Sequence, residues 1–505
     1  MVNTKKYRRK IDMQKVFVNL TTNQYFILCI FFIILLFVMS FGRMHFDEGA
    51  WSYIGRIWCE NNLPPYIGAI DNKTPGIHEL FAVSHMLFGI NYFFVRVLGV
   101  IAILFASLTI YLIGKELHTH LAGIFSMVIF GLTMTWKALD GVITSHTETF
   151  MVMFSTLSFY FIIKGTAKQK WKRWVVLSGL SMGLAIAFKQ IALTTTLALL
   201  FFFIVYAGNS LRNKDKLSGS FLLLSGIIIS TLFSVMPILF SGVSFKEYID
   251  GAWLILLKQG EGSHASSIIA YMRGFFRAWL YSRIAIYHFF LFLLILKRDL
   301  VKNRYFIGLL IWMLFDFLGA SASGKYYGHQ IKQIVPSISI IIGIVLSSLL
   351  IDYTKLPTLR PKYAAIMVLF LIILLFPFKS LEICKPVQTF LGNTEPDESK
   401  EIGIWLRDNT NEEDYVYIVG VNPILSYSDR VSSSKYFNTI FVTSTFERER
   451  LLSDLKTKPP LYFLKTQSSI DYLPDPGEKT ERFIKDNYTL SHIKYDYEFW
   501  KRDSL

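Results

Sequence analysis

Long apolar runs separated by short basic loops restrict this chain to few folds. The runs fall at 24–42, 92–113, 121–138, 147–164, 174–188, 190–207, 218–240, 281–297, 304–320, 331–351 and 363–379. Most are long enough to cross about 30 Å of hydrocarbon as a helix. A chain built this way is a mainly α, polytopic membrane protein of about eleven spans, because hydrocarbon tolerates only backbone that satisfies its own hydrogen bonds. Lys189-Gln190 splits the short fifth run from the sixth, so these are either two spans or a re-entrant pair. Only 18% of residues are charged and 52% are hydrophobic, against about 25% charge in soluble domains. The net charge of +15 does not point to nucleic acid, because the basic residues concentrate in the short loops.

Those loops orient the chain. Lys5, Lys6, Arg8, Arg9 and Lys10 precede the first run. Further clusters lie at 164–173, 212–216, 297–304 and 355–362. With an odd number of crossings and the N-terminus inside, every cluster is cytoplasmic. The first run lacks a small-residue cleavage site and reads as an anchoring helix rather than a removed signal. Residues 1–379 then form a transmembrane domain with outer loops at 43–91, 241–280 and 321–330. Residues 380–505 form an extracytoplasmic α/β domain. In it EIGIWLRDN, TFERERLLSDL and EKTERFIKDN read as helices, and YVYIVGV and LYFLK as strands. A last strand-like stretch follows. There is no GxGxxG or P-loop, no CxxC or Cys/His zinc spacing, and no obvious internal repeat. Cys29 sits in the first run. Cys59 and Cys384 both fall outside the cytoplasm, but a pair between them does not follow from sequence. The terminal KRDSL is not a retention signal, and a prokaryotic plasma membrane is the expected location.

The first outer loop, GRMHFDEGAWSYIGRIWCENNLPPYIGAIDNKTPGIHELFAVSHMLFG, carries the most chemistry. Asp47 and Glu48 lie just beyond the first run, where water still reaches them. At the bilayer centre an acid costs roughly 2.5–3.5 kcal/mol. A partly desolvated carboxylate here serves as a general base or a metal ligand, or else the pair caps a helix starting at Gly49. GAWSYIGRIWCEN reads as an interfacial helix with Trp51, Tyr53 and Trp58 as anchors. HELFAVSHMLFG reads as a second interfacial helix, too short to span.

This order of elements resembles the GT-C superfamily of membrane glycosyltransferases, in the branch of protein O-mannosyltransferases and the lipid A aminoarabinose transferase. The likeness lies in the Asp-Glu after helix one, the interfacial helix, the Lys/Pro element at Lys73-Thr74-Pro75, the second interfacial helix ending in Phe-Gly, and Arg96 early in the next span. WKALDGVITSHTETF places Asp140 and Glu148 where the family has a second acid, without deciding between them. GLSMGLAIAFKQ resembles the family's small-residue helix ending in a lysine, here Lys189. GKYYGHQIKQIVPSISIIIG resembles its short outer loop and following helix. It departs from the family at Lys325, often Arg, and at Gln330, near a position that carries Tyr.

The resemblance implies transfer of a sugar from a polyprenyl-phosphate donor to an acceptor on the outer face, with inversion. The acceptor is a lipid, a glycan or a protein. Asp47 is then the expected base, and Glu48 positions the acceptor or a metal. Lys73, Lys189, His329 and Lys332 are candidates to meet the donor phosphate, whose charge grows as the glycosidic bond breaks. Arg56 and Arg96 are either further phosphate partners or interface anchors. No cofactor is certain. A divalent ion on Asp47 and Glu48, bridging to phosphate, stays open. Two rival classes are a transporter or flippase of a lipid-linked sugar and a lipid-linked glycan polymerase or ligase. The first predicts charges near the bilayer midplane, and the second does not explain the Asp-Glu.

Overall fold

A computed structural model describes residues 41–136, 139, 145–166, 171–206, 212–256, 268–281, 287–288, 291, 297–324, 326–353, 389, 391–392, 396–420, 423–442, 444–466 and 479–503. The helices used below are α1 Phe46–Asn61, α2 Pro75–Phe88, α3 Tyr92–Leu117, α4 His120–Thr133, α5 Thr147–Thr166, α6 Trp171–Phe188, α7 Ala192–Tyr206, α8 Asn213–Phe240, α9 Ile268–Tyr281, α10 Arg304–Ser321 and α11 Val335–Tyr353. A 3₁₀ turn, Gly328–Ile334, leads into α11. The C-terminal part adds α12 Glu398–Asp408, α13 Thr445–Thr457 and α14 Lys479–Asn487, with strands β1 Tyr415–Ile418, β2 Val431–Ser432, β3 Tyr462–Thr466, β4 Tyr488–Lys494 and β5 Tyr497–Arg502.

Among the described residues, α3, α8, α10 and the unit Gly328–Leu349 are long and apolar enough to span a membrane, and α4 and most of α7 are shorter apolar helices. The chain is a polytopic membrane protein. Its runs at 147–164 and 174–188 also form helices, α5 and α6. α5 is less apolar because it buries Glu148, Ser155, Thr156 and Ser158 within the protein, and α6 because Lys172 and Arg173 stand in its first turn. The run at 363–379, all but the end of 24–42, and most of 281–297 lie outside the described residues, as do Cys29 and Cys384. Lys189, Gln190 and Ile191 separate α6 from α7, which then take different neighbours. α6 packs on α5 and α8, and α7 on α10. The α6–α8 contact depends on small residues, since a β-carbon at Gly179 or Gly183 would overlap α8.

The C-terminal strands form one sheet in the order β2-β1-β3-β5-β4. β1 runs parallel to β2 and β3, while β5 is antiparallel to β3 and β4. The last strand-like stretch is thus a hairpin. Its register shifts between Leu490 and His492.

α1 joins the two parts. Ala50, Tyr53, Ile54 and Ile57 belong to the core that Ile402, Leu406, Val416 and Phe499 complete. Trp51 belongs to the helical core with Ile77 and Phe81. The helix is where the sequence put it, but two of its anchors serve the interior. Trp51 and Tyr53 are buried, and the Tyr53 hydroxyl accepts from the Ser432 amide at 2.9 Å. Protein rather than lipid headgroups covers this helix on both sides. α2 differs, since Val83, Met86, Leu87 and Phe88 near its end are exposed, as an interfacial helix requires.

Candidate functional site

The start of α1 sets the geometry. His45 is the N-cap and its ring accepts from the Asp47 amide, while Glu48 at the third position reaches back to the His45 amide at 2.9 Å. This is a capping box that begins at Phe46 rather than Gly49. It points successive acids in different directions. Asp47 turns toward His45 and His146, and one ligand atom from each of the three lies within 4.8 Å of the others. Glu48 turns inward and is completely buried. Its Oε1 accepts from Arg96 Nε at 2.7 Å and from Ser145 Oγ, and its Oε2 accepts from Arg96 Nη2 at 2.5 Å and from the His45 amide. Burial opposes ionisation of Glu48, but Arg96 and these donors outweigh it and hold the carboxyl below its usual range.

Arg96 is correspondingly committed. Besides Glu48 it donates to the carbonyls of Gly42 at 3.3 Å and Arg43 at 2.8 Å. The expectations of Glu48 as an acceptor or metal group and Arg96 as a phosphate partner give way to a buried ion pair that fixes the end of α1. Arg56 is also turned elsewhere. Its Nη2 donates to the Arg430 carbonyl at 2.6 Å, and its Nη1 lies 3.2 Å from Asp429. With Ser426 donating to Ser52 at 2.7 Å and Tyr53 held by Ser432, positions 52, 53 and 56 form one face that docks the C-terminal domain.

The other expected phosphate partners gather around His146 and Glu148, beside Asp47. Lys189, just after α6, is buried and paired with Glu148 at the start of α5. His329 Nε2 is 3.9 Å from the same Glu148 oxygen. Lys332 is 1% exposed, with Nζ 3.2 Å from His146 Nδ1. The rings of His146 and His329 stack at 4.8 Å, and Tyr327 stacks on His329 at 5.6 Å. Lys73 donates to Asn72 Oδ1 at 2.6 Å and bears electrostatically on Lys189, as does Asp47. Of the two candidate second acids, Glu148 belongs to this cluster and Asp140 lies outside the described residues.

The sequence reading missed His45, His146 and the support of Trp51. Trp51 Nε1 donates to Asp71 Oδ2 at 3.0 Å, and its ring stands edge-on to His146 at 6.4 Å. His78 Nε2 lies 3.4 Å from the same Asp71 oxygen, and burial lowers its pKa to about 4. Burial, then Lys332 and the neighbouring histidines, also hold His146 well below the usual imidazole range, leaving it neutral. The only available signal was that His45 and His146 each stand within two residues of an acid.

Residues 72–237 match the family described as dolichyl-phosphate-mannose-protein mannosyltransferase. In structure the chain is similar to ArnT from Cupriavidus metallidurans bound to undecaprenyl phosphate, with a TM-score of 0.61, 14% identity, and coverage of 95% of this chain and 98% of that one. The chain has the GT-C fold. The Archaeoglobus fulgidus oligosaccharyltransferase tethered with an acceptor peptide shares it, with a TM-score of 0.54 and 12% identity over 87% of this chain and 69% of that one. So does the same organism's AglB in complex with an inhibitory peptide and a dolichol-phosphate, at 0.52 and 11% over 95% and 74%. No curated protein sequence matches significantly. At 11–14% identity, what these structures share with the chain is the fold.

Proposed function

We propose that the chain is a glycosyltransferase that moves a sugar from a polyprenyl-phosphate donor to an acceptor at the outer face of the membrane, with inversion at the anomeric carbon. The observation that carries this reading is that His146 brings Asp47, Lys332 and His329 together, with Lys189 paired to the Glu148 that His329 also approaches. Asp47 offers a carboxylate able to take a proton, and the lysines offer ammonium groups able to receive a leaving phosphate. The undecaprenyl phosphate bound to ArnT and the dolichol-phosphate bound to AglB support a lipid-linked donor. The basic loops support a cytoplasmic N-terminus and an extracytoplasmic C-terminal domain, and a prokaryotic plasma membrane remains the proposed location.

In the step itself, an acceptor hydroxyl or amine attacks the anomeric carbon while Asp47 takes its proton. The bond from that carbon to the phosphate oxygen breaks, and the phosphate leaves with the electron pair. Lys189, Lys332 and Lys73 face the charge that develops on that oxygen, and their fixed positions make them more effective than solvent. Glu148 restrains Lys189 and opposes the loss of charge that burial favours. Glu48 and Arg96 act on Asp47 indirectly, by holding its helix end.

His45, Asp47 and His146 could also hold a divalent ion. Two imidazoles and a carboxylate suit zinc or manganese better than magnesium, and the neutral state of His146 fits ligation. Such an ion would supply Lewis-acid polarisation of an acceptor or phosphate oxygen.

The test is mass spectrometry of polyprenyl-phosphate sugars in membranes of cells carrying wild type or Asp47→Asn at equal protein levels. Accumulation of one lipid-linked sugar with loss of a glycan product is the expected result and names the donor. Identical lipid pools and products would remove the base assignment.

A further inference from the structure

Two lysines of the cluster share a sequence feature. Each is followed by a buried glutamine, in Lys189-Gln190 and Lys332-Gln333. Neither glutamine is among the charged groups just described. Gln190 Nε2 donates to the Asn72 carbonyl at 2.8 Å and to the Ala252 carbonyl at 2.6 Å. It thereby ties the turn of Lys189 to the residue before Lys73 and to the short helical segment Asp250–Leu254 that follows α8. Gln333 Nε2 faces the Ile191 carbonyl at 3.2 Å, Thr194 Oγ1 at 3.1 Å, Thr195 Oγ1 at 2.9 Å and Asp316 Oδ1 at 3.4 Å. A carbonyl and a carboxyl oxygen both face this nitrogen, so the amide orientation is settled by its neighbours. Gln333 thus ties the turn of Lys332 to the first turn of α7, directly after Lys189.

Asp316 completes the connection. It is buried within α10, where an acid in a spanning helix needs a reason. Its Oδ1 accepts from Thr195 Oγ1 at 2.6 Å as well as from Gln333. A β-carbon at Gly319, one turn on, would overlap Thr194 and crowd the Gln333 amide, so α10 approaches this knot as closely as a helix can.

We propose that Gln190 and Gln333, with Asp316 behind Gln333, are positioning residues that set the spacing of Lys73, Lys189 and Lys332 around one phosphate group. This rests on the reading of those lysines as the donor-phosphate site. A lysine is a flexible point charge, and three of them bind one phosphate well only if the turns that carry them keep their distances. The glutamines supply that rigidity with neutral groups, which leave the charge of the site unchanged.

The test uses the full chain in nanodiscs and labelled undecaprenyl phosphate as the probe, with thermal melting as a control on folding. Lys332→Gln is expected to weaken binding and reports on the phosphate reading. Gln333→Leu and Gln190→Leu are expected to weaken it about tenfold, the order of effect seen when outer-shell partners of a ligand are removed. Gln333→Leu added to Lys332→Gln is expected to change binding at most about twofold, because the charge it positions is gone. Asp316→Asn keeps the accepting oxygen and should bind as wild type, while Asp316→Leu should behave as Gln333→Leu. If Lys332→Gln binds as wild type, the phosphate reading fails and takes this inference with it. If Lys332→Gln weakens binding but Gln333→Leu does not, or costs the same with and without Lys332, the positioning role alone is overturned.

Discussion

Adjacent acids at 47 and 48 should give opposite phenotypes when each is replaced by its amide. In Glu48→Gln, one oxygen becomes an NH2 group. Oε1 faces Arg96 Nε and Ser145 Oγ, and Oε2 faces Arg96 Nη2 and the His45 amide. Either amide orientation therefore sets an NH2 group against an Arg96 N–H, and against the His45 amide as well on the Oε2 side; the Ser145 hydroxyl can turn to accept, but Arg96 cannot. The substitution also strips the counter-charge from Arg96, which is 1% exposed. Breaking a buried pair from one side costs about 3–5 kcal/mol, a large share of the roughly 5–15 kcal/mol that holds a typical domain together. Asp47→Asn changes a half-buried group outside that pair and should alter stability by no more than about 0.5 kcal/mol. On the proposed role it removes a base worth about 10²–10⁴-fold in rate. Thermal unfolding in detergent, beside glycan transfer in cells at matched expression, separates the two. The expected result is a clear fall in melting temperature for Glu48→Gln and wild-type melting with lost transfer for Asp47→Asn. Wild-type melting of Glu48→Gln with lost transfer would refute the structural role of that pair and return Glu48 to the chemistry.

Docking of the C-terminal domain should depend on Arg56. Arg56→Leu removes the contacts to Arg430 and Asp429 and should speed proteolysis of that domain by about tenfold or more, while Asn61→Ala, exposed at the end of the same helix, should not; equal proteolysis of both would place the docking energy elsewhere. Glu79 should impose a pH dependence. Burial raises its pKa from 4.5 to about 7, so its contribution to stability is full below about pH 4.5 and is lost as pH rises through 7, by at most about 3 kcal/mol. Melting temperature should therefore fall from pH 5 to 8 more in wild type than in Glu79→Gln, and parallel curves would exclude this carboxyl as the cause.

The GT-C architecture was legible because its main signals are local. Apolar length and loop charge mark spans one at a time, and each helix and strand expected at 401–488 needs only its own periodicity. Lys189, His329, Lys332 and Glu148 were legible as charges at helix ends, where an apolar chain has few. Their partners were not. Glu48 and Arg96 are 48 positions apart, and Lys332 and His146 are 186 apart. Nothing local to either member distinguishes an ion pair from two ligands of the same phosphate. The same limit explains Tyr53. A run with aromatic residues on more than one face reads as an interfacial helix until a second domain, more than 340 residues later, is seen to cover it.

The charge around Asp47 makes a prediction about metal that the donor atoms alone do not. His45, Asp47 and His146 offer suitable ligands within 4.8 Å, yet Lys332 lies 3.2 Å from His146 and Lys189 bears on Asp47. A divalent cation next to two ammonium groups is opposed by several kcal/mol at an effective dielectric near 20. A phosphate placed between them reverses that sign, because it attracts the lysines and the metal together. Metal and lipid phosphate should then bind cooperatively, and linkage requires each to raise the affinity of the other by the same factor. Calorimetric titration of manganese into the chain in nanodiscs, with and without undecaprenyl phosphate, measures that factor. A manganese affinity at least tenfold higher with the lipid present is the expected outcome, lost in Asp47→Asn. Equal affinities in both titrations would mean that the lysines and the three ligands serve separate charges. No binding in either would show that the lysines alone carry the phosphate and that His45 and His146 act only to hold and orient Asp47.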